Sequence, residues 1–331
     1  MSGAARPRPA LRDVAVRYGV VATLALLIVY LSLSAPAFAS LTNWTALVRD
    51  MAVAAIIALA VTVSVVVNGF DVSVGANAGL AVILSMIAMV LWGWPWWAAL
   101  GLALVSGVLI GLVNAALIVR LRLPDLLATL GMLFVLSGAQ QILAGGQTIS
   151  AGMSLPDGTA AAGTVSPAFL ALSQGSVLGV PAPILLTAAL ALALWVLLTH
   201  TRWGRVLYGV GSNPEAARLS GVNVGAYRTL AYGLSGLLAS VAGVLLASRL
   251  GIGVLAAGDS YMLSGVAATM IGFAVLGSGR ANVPGTLVGA LMMAVIANGF
   301  TMLNVPFYTQ NTIFGVLMLA ALSLSFVVRR R

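Results

Sequence analysis

Glu215 is the only glutamate in the chain, and it lies in a polar island, Thr201 to Gly221, set between two long apolar runs. Arg202, Arg205 and Arg218 share the island. In a chain that is 61% hydrophobic and 7% charged, such a concentration of charge is expected to face something specific in water; an ordinary solvated loop is the alternative. Other reactive types are scarce. All sixteen basic residues are arginine, so the lysine of a Walker A phosphate loop and a Schiff-base lysine are both absent. The single histidine, His200, cannot build a histidine-based metal cluster, and the lack of cysteine excludes disulfides and thiol catalysis. Seven acidic residues leave little for a relay of buried carboxylates. No enzymatic activity, metal or cofactor is expected of this chain. The net charge of +9 would suit nucleic acid, but arginine excess in a membrane protein sets orientation instead, and no nucleic-acid partner is expected.

A second group of candidates lies where polar residues interrupt apolar runs. Asn68-Gly69-Phe70-Asp71-Val72-Ser73-Val74-Gly75 breaks a stretch that otherwise runs from Met51 to Leu91. An aspartate at membrane depth costs about 2.5–3.5 kcal/mol on insertion scales, so it faces a cavity, a partner or the interface. Two readings stand together: a broken helix beside a passage, or a turn in which Asp71 caps the next helix through its backbone N–H groups. Pro124 and Asp125 suit the first turn of a helix, which carries Thr129 and leads through Gln140 and Gln141 to Gly145-Gly146-Gln147. The pathway candidates are Asn68, Asp71, Ser73, Gly75, Asn114, Thr129, Gln147, Asn298 and Gln310. Amides and hydroxyls with few charges suit a neutral polyhydroxylated solute better than an ion, although such amides also bond helix to helix. Within the island, Asn213 reads as an N-cap, Pro214 as the first helical position and Glu215 as first-turn acid, with Gly221 ending a helix of about two turns. So short a helix is marginal alone in water and is expected to rest against a partner.

The elements that position these residues are apolar runs of 18 or so residues in a chain of mean hydropathy +1.10, which read as membrane-spanning helices. Ten spans are expected, near 18–34, 51–67, 75–92, 98–119, 126–144, 183–198, 229–248, 261–277, 285–303 and 309–328. One transmembrane domain is therefore expected over 1–331, with a cytoplasmic tail over 1–17 and a cytoplasmic loop over 199–228. With both termini inside, only Arg49 and Arg249 fall on the outer face, as the positive-inside rule asks. Trp92, Trp94, Trp96 and Trp97 form an interfacial belt where the third span ends, and the segment from Gly145 to Pro183 reads as an irregular external loop. Ala37-Phe38-Ala39 before Ser40 imitates a signal-peptide cleavage site; cleavage is not expected, because it would invert the arginine bias. Ser235, Ala239 and Gly243, Gly107 with Gly111, and Gly285 with Gly289 have the spacing of close helix contacts.

The order of these motifs resembles the permease subunit of bacterial ABC importers for monosaccharides, the ribose, xylose, arabinose and galactose type within a larger family that also serves branched-chain amino acids. The resemblance rests on Gly69 to Gly75, Ala128-Thr129-Leu130-Gly131, Gly145-Gly146-Gln147, Thr201 to Arg205 with Gly211 to Gly221, Val283 to Ala290 and Asn298-Gly299-Phe300. It departs from the family's usual Gly-Gly-Ile-Asp at Asn68-Gly69-Phe70-Asp71, from Gly-Gly-Thr-Ser at Gly272-Phe273-Ala274-Val275, and from a common acid near Leu263-Ser264. The resemblance implies an all-α integral membrane bundle of about ten helices in the ABC-importer permease fold, lodged in the bacterial inner membrane. It also implies two copies of an ATPase subunit or one fused double ATPase, a second permease copy or paralogue, and a periplasmic sugar-binding protein. Coupling to the ATPase would fall to Arg202, Gly204, Arg205, Gly211, Asn213, Glu215, Ala216, Ala217, Arg218 and Gly221. An ion-coupled secondary transporter is the rival class, and a branched-chain amino acid or nucleoside permease the nearest alternative.

Overall fold

Apolar segments of this length can satisfy their backbone only by helix formation, and the computed structural model is helical almost throughout. It describes residues 11–155, 157–274, 280–306, 309, 312, 313, 315 and 316. Gln310 and most of the expected tenth span lie outside the described residues, as does the start of the amino-terminal tail. The helices are α1 (Leu11–Ser34), α2 (Leu41–Val66), α3 (Val74–Met86), α4 (Trp96–Ala115), α5 (Asp125–Ala144), α6 (Pro167–Gln174), α7 (Ala182–His200), α8 (Arg202–Ser212), α9 (Pro214–Leu219), α10 (Val224–Leu250), α11 (Asp259–Ala274) and α12 (Val283–Met302). Wide π-helical turns extend α3 over Ile87–Leu91 and α4 over Ala116–Arg120. Each expected span up to 303 overlaps one of these helices over the described residues. Among the described residues, seven are long and apolar enough to cross a membrane: α2, α3, α4, α5, α7, α10 and α12.

The core forms around three of them. The apolar window of α3 is 94% buried, that of α10 72% and that of α2 67%, whereas α5 and α7 are buried to only 22% and 28%. Small residues set this order, because backbones approach where side chains are missing. A side chain at Gly107 on α4 would strike Ser240 and the carbonyl of Gly236 on α10, and one at Gly243 would strike the carbonyl of Ala78 on α3. α11 and α12 meet likewise through Gly272, Gly285, Gly289 and Ala268. α1 packs on α12 through Leu31 against Gly299, and Asn43 of α2 exchanges paired amide bonds with Asn298 at 3.1 and 2.9 Å.

The ends follow the sequence. Trp92, Trp94 and Trp97 are exposed beside Gly93, at the end of α3 and the start of α4. The 145–183 segment is more ordered than expected of an irregular loop: it holds α6 and a two-stranded hairpin, β1 (Ser176–Val177) with β2 (Val180–Pro181). An isolated bridge also ties Ile149 to Gly253. The hydroxyl of Ser248 explains this order, donating to the carbonyl of Phe169 while accepting from the amide of Ser173. On that same end Arg249 pairs with Asp50 at 2.8 Å.

Candidate functional site

The break between α2 and α3 is a turn folded into protein. Val67 to Ser73 leaves the helix through Asn68, which takes a left-handed φ of 56°. Asp71 is buried. Its Oδ1 accepts from the backbone N–H of Ser73 at 3.0 Å and from the Ser73 hydroxyl at 2.6 Å. Its Oδ2 accepts from the Ser235 hydroxyl of α10 at 3.0 Å. The expected helix cap is not formed. The carboxyl closes a local turn onto Ser73, the residue before α3, and no side chain caps that helix; its other oxygen is tied across the bundle.

Around it the structure gathers four of the expected pathway residues. Asn114 of α4 donates to the Ser73 hydroxyl at 2.8 Å. Thr129 of α5 accepts from the Val72 N–H at 3.2 Å and donates within its own helix to Asp125 at 2.9 Å. Asp71, Ser73, Asn114 and Thr129 thus form one cluster joining α3, α4, α5 and α10. Gly75 lies one turn on, tight against Met262 and Gly258 near the start of α11. Asn68 is exposed on the outer side of the turn, Gln147 is exposed beyond the end of α5, and Asn298 belongs to the separate amide pair with Asn43. The Oδ1 atoms of Asn77 and Asn114 are buried beside the cluster with no protein donor, so each keeps a hydrogen-bond acceptor in reserve.

A second cluster was not anticipated. Asp125 at the start of α5 receives Arg228 at 2.6 Å and the hydroxyl of Tyr232 at 2.7 Å. A side chain at Gly69 would collide with both the Tyr232 hydroxyl and the Asp125 carboxyl. Arg228, Tyr232 and Ser235 recur at helical spacing along α10 and meet the α2–α3 turn and α5 together. The sequence signal was available: one of few acids, placed directly after Pro124, with an arginine expected on the same side of the membrane.

The polar island folds as two helices, where a single short one was expected. Thr201 caps α8 by accepting from the Gly204 N–H at 3.2 Å. Gly204 sits against the carbonyls of Leu197 and Leu198, and Gly211 against the carbonyl of Val66 and the amide of Asn68. Tyr208 donates to the carbonyl of Ala281 at 2.7 Å; burial raises its phenol above the usual range, with Arg280 nearby acting in the opposite sense, so it remains a donor at neutral pH. α8 therefore touches both the α2–α3 turn and the foot of α12. Arg202 and Arg205 point outward, and Arg205 borders a cleft of about 410 Å³ with Tyr208 and Arg280.

α9 stands off this base. Asn213 caps it by accepting from the Ala216 N–H at 3.0 Å, as expected. Glu215 and Arg218 form an exposed pair at 3.1 Å, and Gly221 leaves the helix at φ 80°. Ala216 and Arg218 are exposed, Leu219 is 83% exposed, and only Ala217 tucks against the core. A six-residue helix that presents a leucine to water lacks enough of its own contacts to be stable alone. Among the described residues there is no grouping of histidine and acidic residues that could hold a metal.

The chain is similar to known transport permeases over most of its length. The family described as "Branched-chain amino acid transport system / permease component" matches residues 43–322. The ribose import permease protein RbsC of Escherichia coli K12 is 33% identical over 300 residues, covering 90% of each chain. RbsC of Bacillus subtilis 168 is 32% identical over 299 residues, covering 90% of this chain and 89% of that one. The xylose transport system permease protein XylH of Escherichia coli K12 is 30% identical over 360 residues, covering 94% and 92%. No solved structure matches.

Proposed function

Since the chain belongs to the branched-chain amino acid transport system / permease component family, we propose that it is the membrane-spanning permease of an ABC importer for a monosaccharide or similar neutral polyol. Relatives named for ribose and xylose import align along nearly the whole chain. ATP chemistry belongs to a separate subunit, present as two copies or a fused pair; a second permease completes the membrane portion, and a binding protein delivers the solute. Ten spans with both termini in the cytoplasm, in the bacterial inner membrane, complete the picture.

The observation that carries the mechanism is the seat of α8. α9 offers Glu215, Arg218 and Leu219 to a partner, and α8 behind it rests through Gly211 on Val66 and Asn68. Force applied to α9 therefore reaches the turn that holds Asp71 through one helix. When the partner draws α9 inward on ATP binding, that turn shifts against α5 and α10. The Asp71–Ser73–Asn114–Ser235 bonds then exchange for others, and the reserve acceptors of Asn77 and Asn114 become available to sugar hydroxyls. Substrate binding that differs between the two states is what makes such rocking productive.

The test is uptake of labelled ribose and xylose by vesicles holding the permease, its ATPase and its binding protein. Uptake should require ATP and all three components, and Glu215→Ala should lower sugar-stimulated ATP turnover. Accumulation by the permease alone would overturn the reading in favour of an ion-coupled carrier. Labelled leucine in the same vesicles tests the branched-chain amino acid alternative that the family description raises.

A further inference from the structure

A basic recess lies at the boundary of the bundle, beside the Asp125–Arg228 pair. A cavity of about 420 Å³ lies between the α4–α5 turn and the start of α10, lined by Arg122, Arg218, Arg228, Ile118, Val119 and Gly225 among others. Three arginines contribute to its lining. Arg228 gives one nitrogen to Asp125, but its Nε is buried with no acceptor. Arg218 shares a single contact with the exposed Glu215. Arg122, held at a left-handed φ of 57°, has no acidic partner among the described residues. The recess is thus net positive, and the capped start of the 27-residue α10 adds the partial charge of its N-terminus.

Its rim is greasy. Leu121 and Leu123 flank Arg122 in the turn, and Leu126 and Leu127 follow on the first turn of α5; they are 66%, 42%, 53% and 63% exposed. Arginine heads next to exposed leucines at the ends of spans match the level where phosphates give way to acyl chains. A soluble anion would satisfy the guanidinium groups and leave those leucines in water.

We propose that this recess binds the phosphate of an anionic phospholipid, with Arg122 and Arg228 gripping the headgroup and the leucines receiving its acyl chains. This site is distinct from the sugar pathway and does not depend on what the chain transports. Because Arg218 bridges the recess and α9, the bound lipid also steadies the base of the partner-facing helix.

The full-length chain, purified in mild detergent, can be titrated with dioleoyl phosphatidylglycerol, dioleoyl phosphatidylcholine and inorganic phosphate, reading bound lipid by native mass spectrometry and melting temperature in parallel. Phosphatidylglycerol should bind saturably and raise the melting temperature, with phosphatidylcholine and phosphate far weaker. Near a membrane surface one arginine contributes about 1 kcal/mol, so Arg122→Gln should weaken phosphatidylglycerol about fivefold. Arg120→Gln removes the same charge two residues away, outside the lining, and should change binding less than about twofold. Arg122 is exposed, so its variant should melt like the parent without lipid, which separates a binding defect from misfolding. Equal binding of the two phospholipids, equal losses in the two variants, or protection by phosphate as strong as by phosphatidylglycerol would each overturn the proposal.

Discussion

Asp71 is held by Ser73 and Ser235, and the choice of substitution separates what its carboxyl accepts from the space it fills. Asparagine at 71 can still accept from Ser73 and can donate to the Ser235 oxygen, so Asp71→Asn should keep expression and lose under about 1 kcal/mol of stability. Leucine strands the Ser73 N–H and the Ser235 hydroxyl in the core, and Asp71→Leu should lose about 2–3 kcal/mol. Thermal unfolding followed by size-exclusion chromatography measures both. Normal uptake by Asp71→Asn would limit the residue to holding the turn; uptake lost at unchanged stability would give it a part in translocation. The chemical types in this cluster were legible in the sequence, since Asp71, Ser73, Asn114 and Thr129 all stood out as polar residues in apolar surroundings. Ser235, Tyr232 and Arg228 did not. Ser235 read as packing and the arginines in general as orientation signals, because nothing in a largely apolar helix fixes which face turns toward a residue 103 or 164 positions away. α3, buried on nearly every side, has no polar stripe to set its rotation.

Among the elements, the sequence hid α8 as well as α6. Gly204, Gly209 and Gly211 lower the intrinsic helix propensity of α8, which made the segment read as a loop. Two of these glycines are explained by contact: Gly204 and Gly211 lie against backbone carbonyls of α7 and α2. What could have revealed the helix is Thr201 as its cap and the buried series Gly204, Leu207 and Val210 at threefold spacing. The long spans were legible because length and hydropathy suffice for them, whereas the amphipathic α8 is short and glycine-rich. Gly211 also gives the sharpest prediction at this scale. A side chain there must push α8 off Val66 while leaving α9 exposed, so Gly211→Leu should still bind the ATPase but transmit less. Coupling energies of about 0.5–2 kcal/mol translate into a loss of uptake per ATP of up to about thirtyfold. Uptake and ATP turnover measured on the same vesicles give that ratio; a proportional fall in both would mean lost docking instead. Tyr208→Phe removes the bond to Ala281, a smaller link between α8 and α12, and should cost about 1 kcal/mol in a melting assay with the ATPase still bound.

For the whole molecule, the way the bundle sits in the membrane is measurable by cysteine labelling, because the chain contains no cysteine of its own. Leu178 at the hairpin tip is fully exposed, and Ser220 just after α9 is exposed as well. A single long helix, α7, separates them, so in any arrangement in which α7 crosses the bilayer they lie on opposite faces. By the positive-inside rule Ser220 is expected inside, since Arg202, Arg205, Arg218 and Arg228 flank it in the sequence. Leu178→Cys should therefore react with a membrane-impermeant maleimide in intact cells, and Ser220→Cys only after the membrane is opened. Because α9 is proposed to seat in the ATPase, Ser220→Cys in opened membranes should react several times more slowly when that subunit is co-expressed, while Leu178→Cys is indifferent to it. Reversed labelling would invert the topology and move α9 out of reach of any cytoplasmic motor. Correct labelling without protection would keep the topology and remove the coupling role from α9, leaving Arg205 and the cleft beside Tyr208 as the surface for the motor to grip.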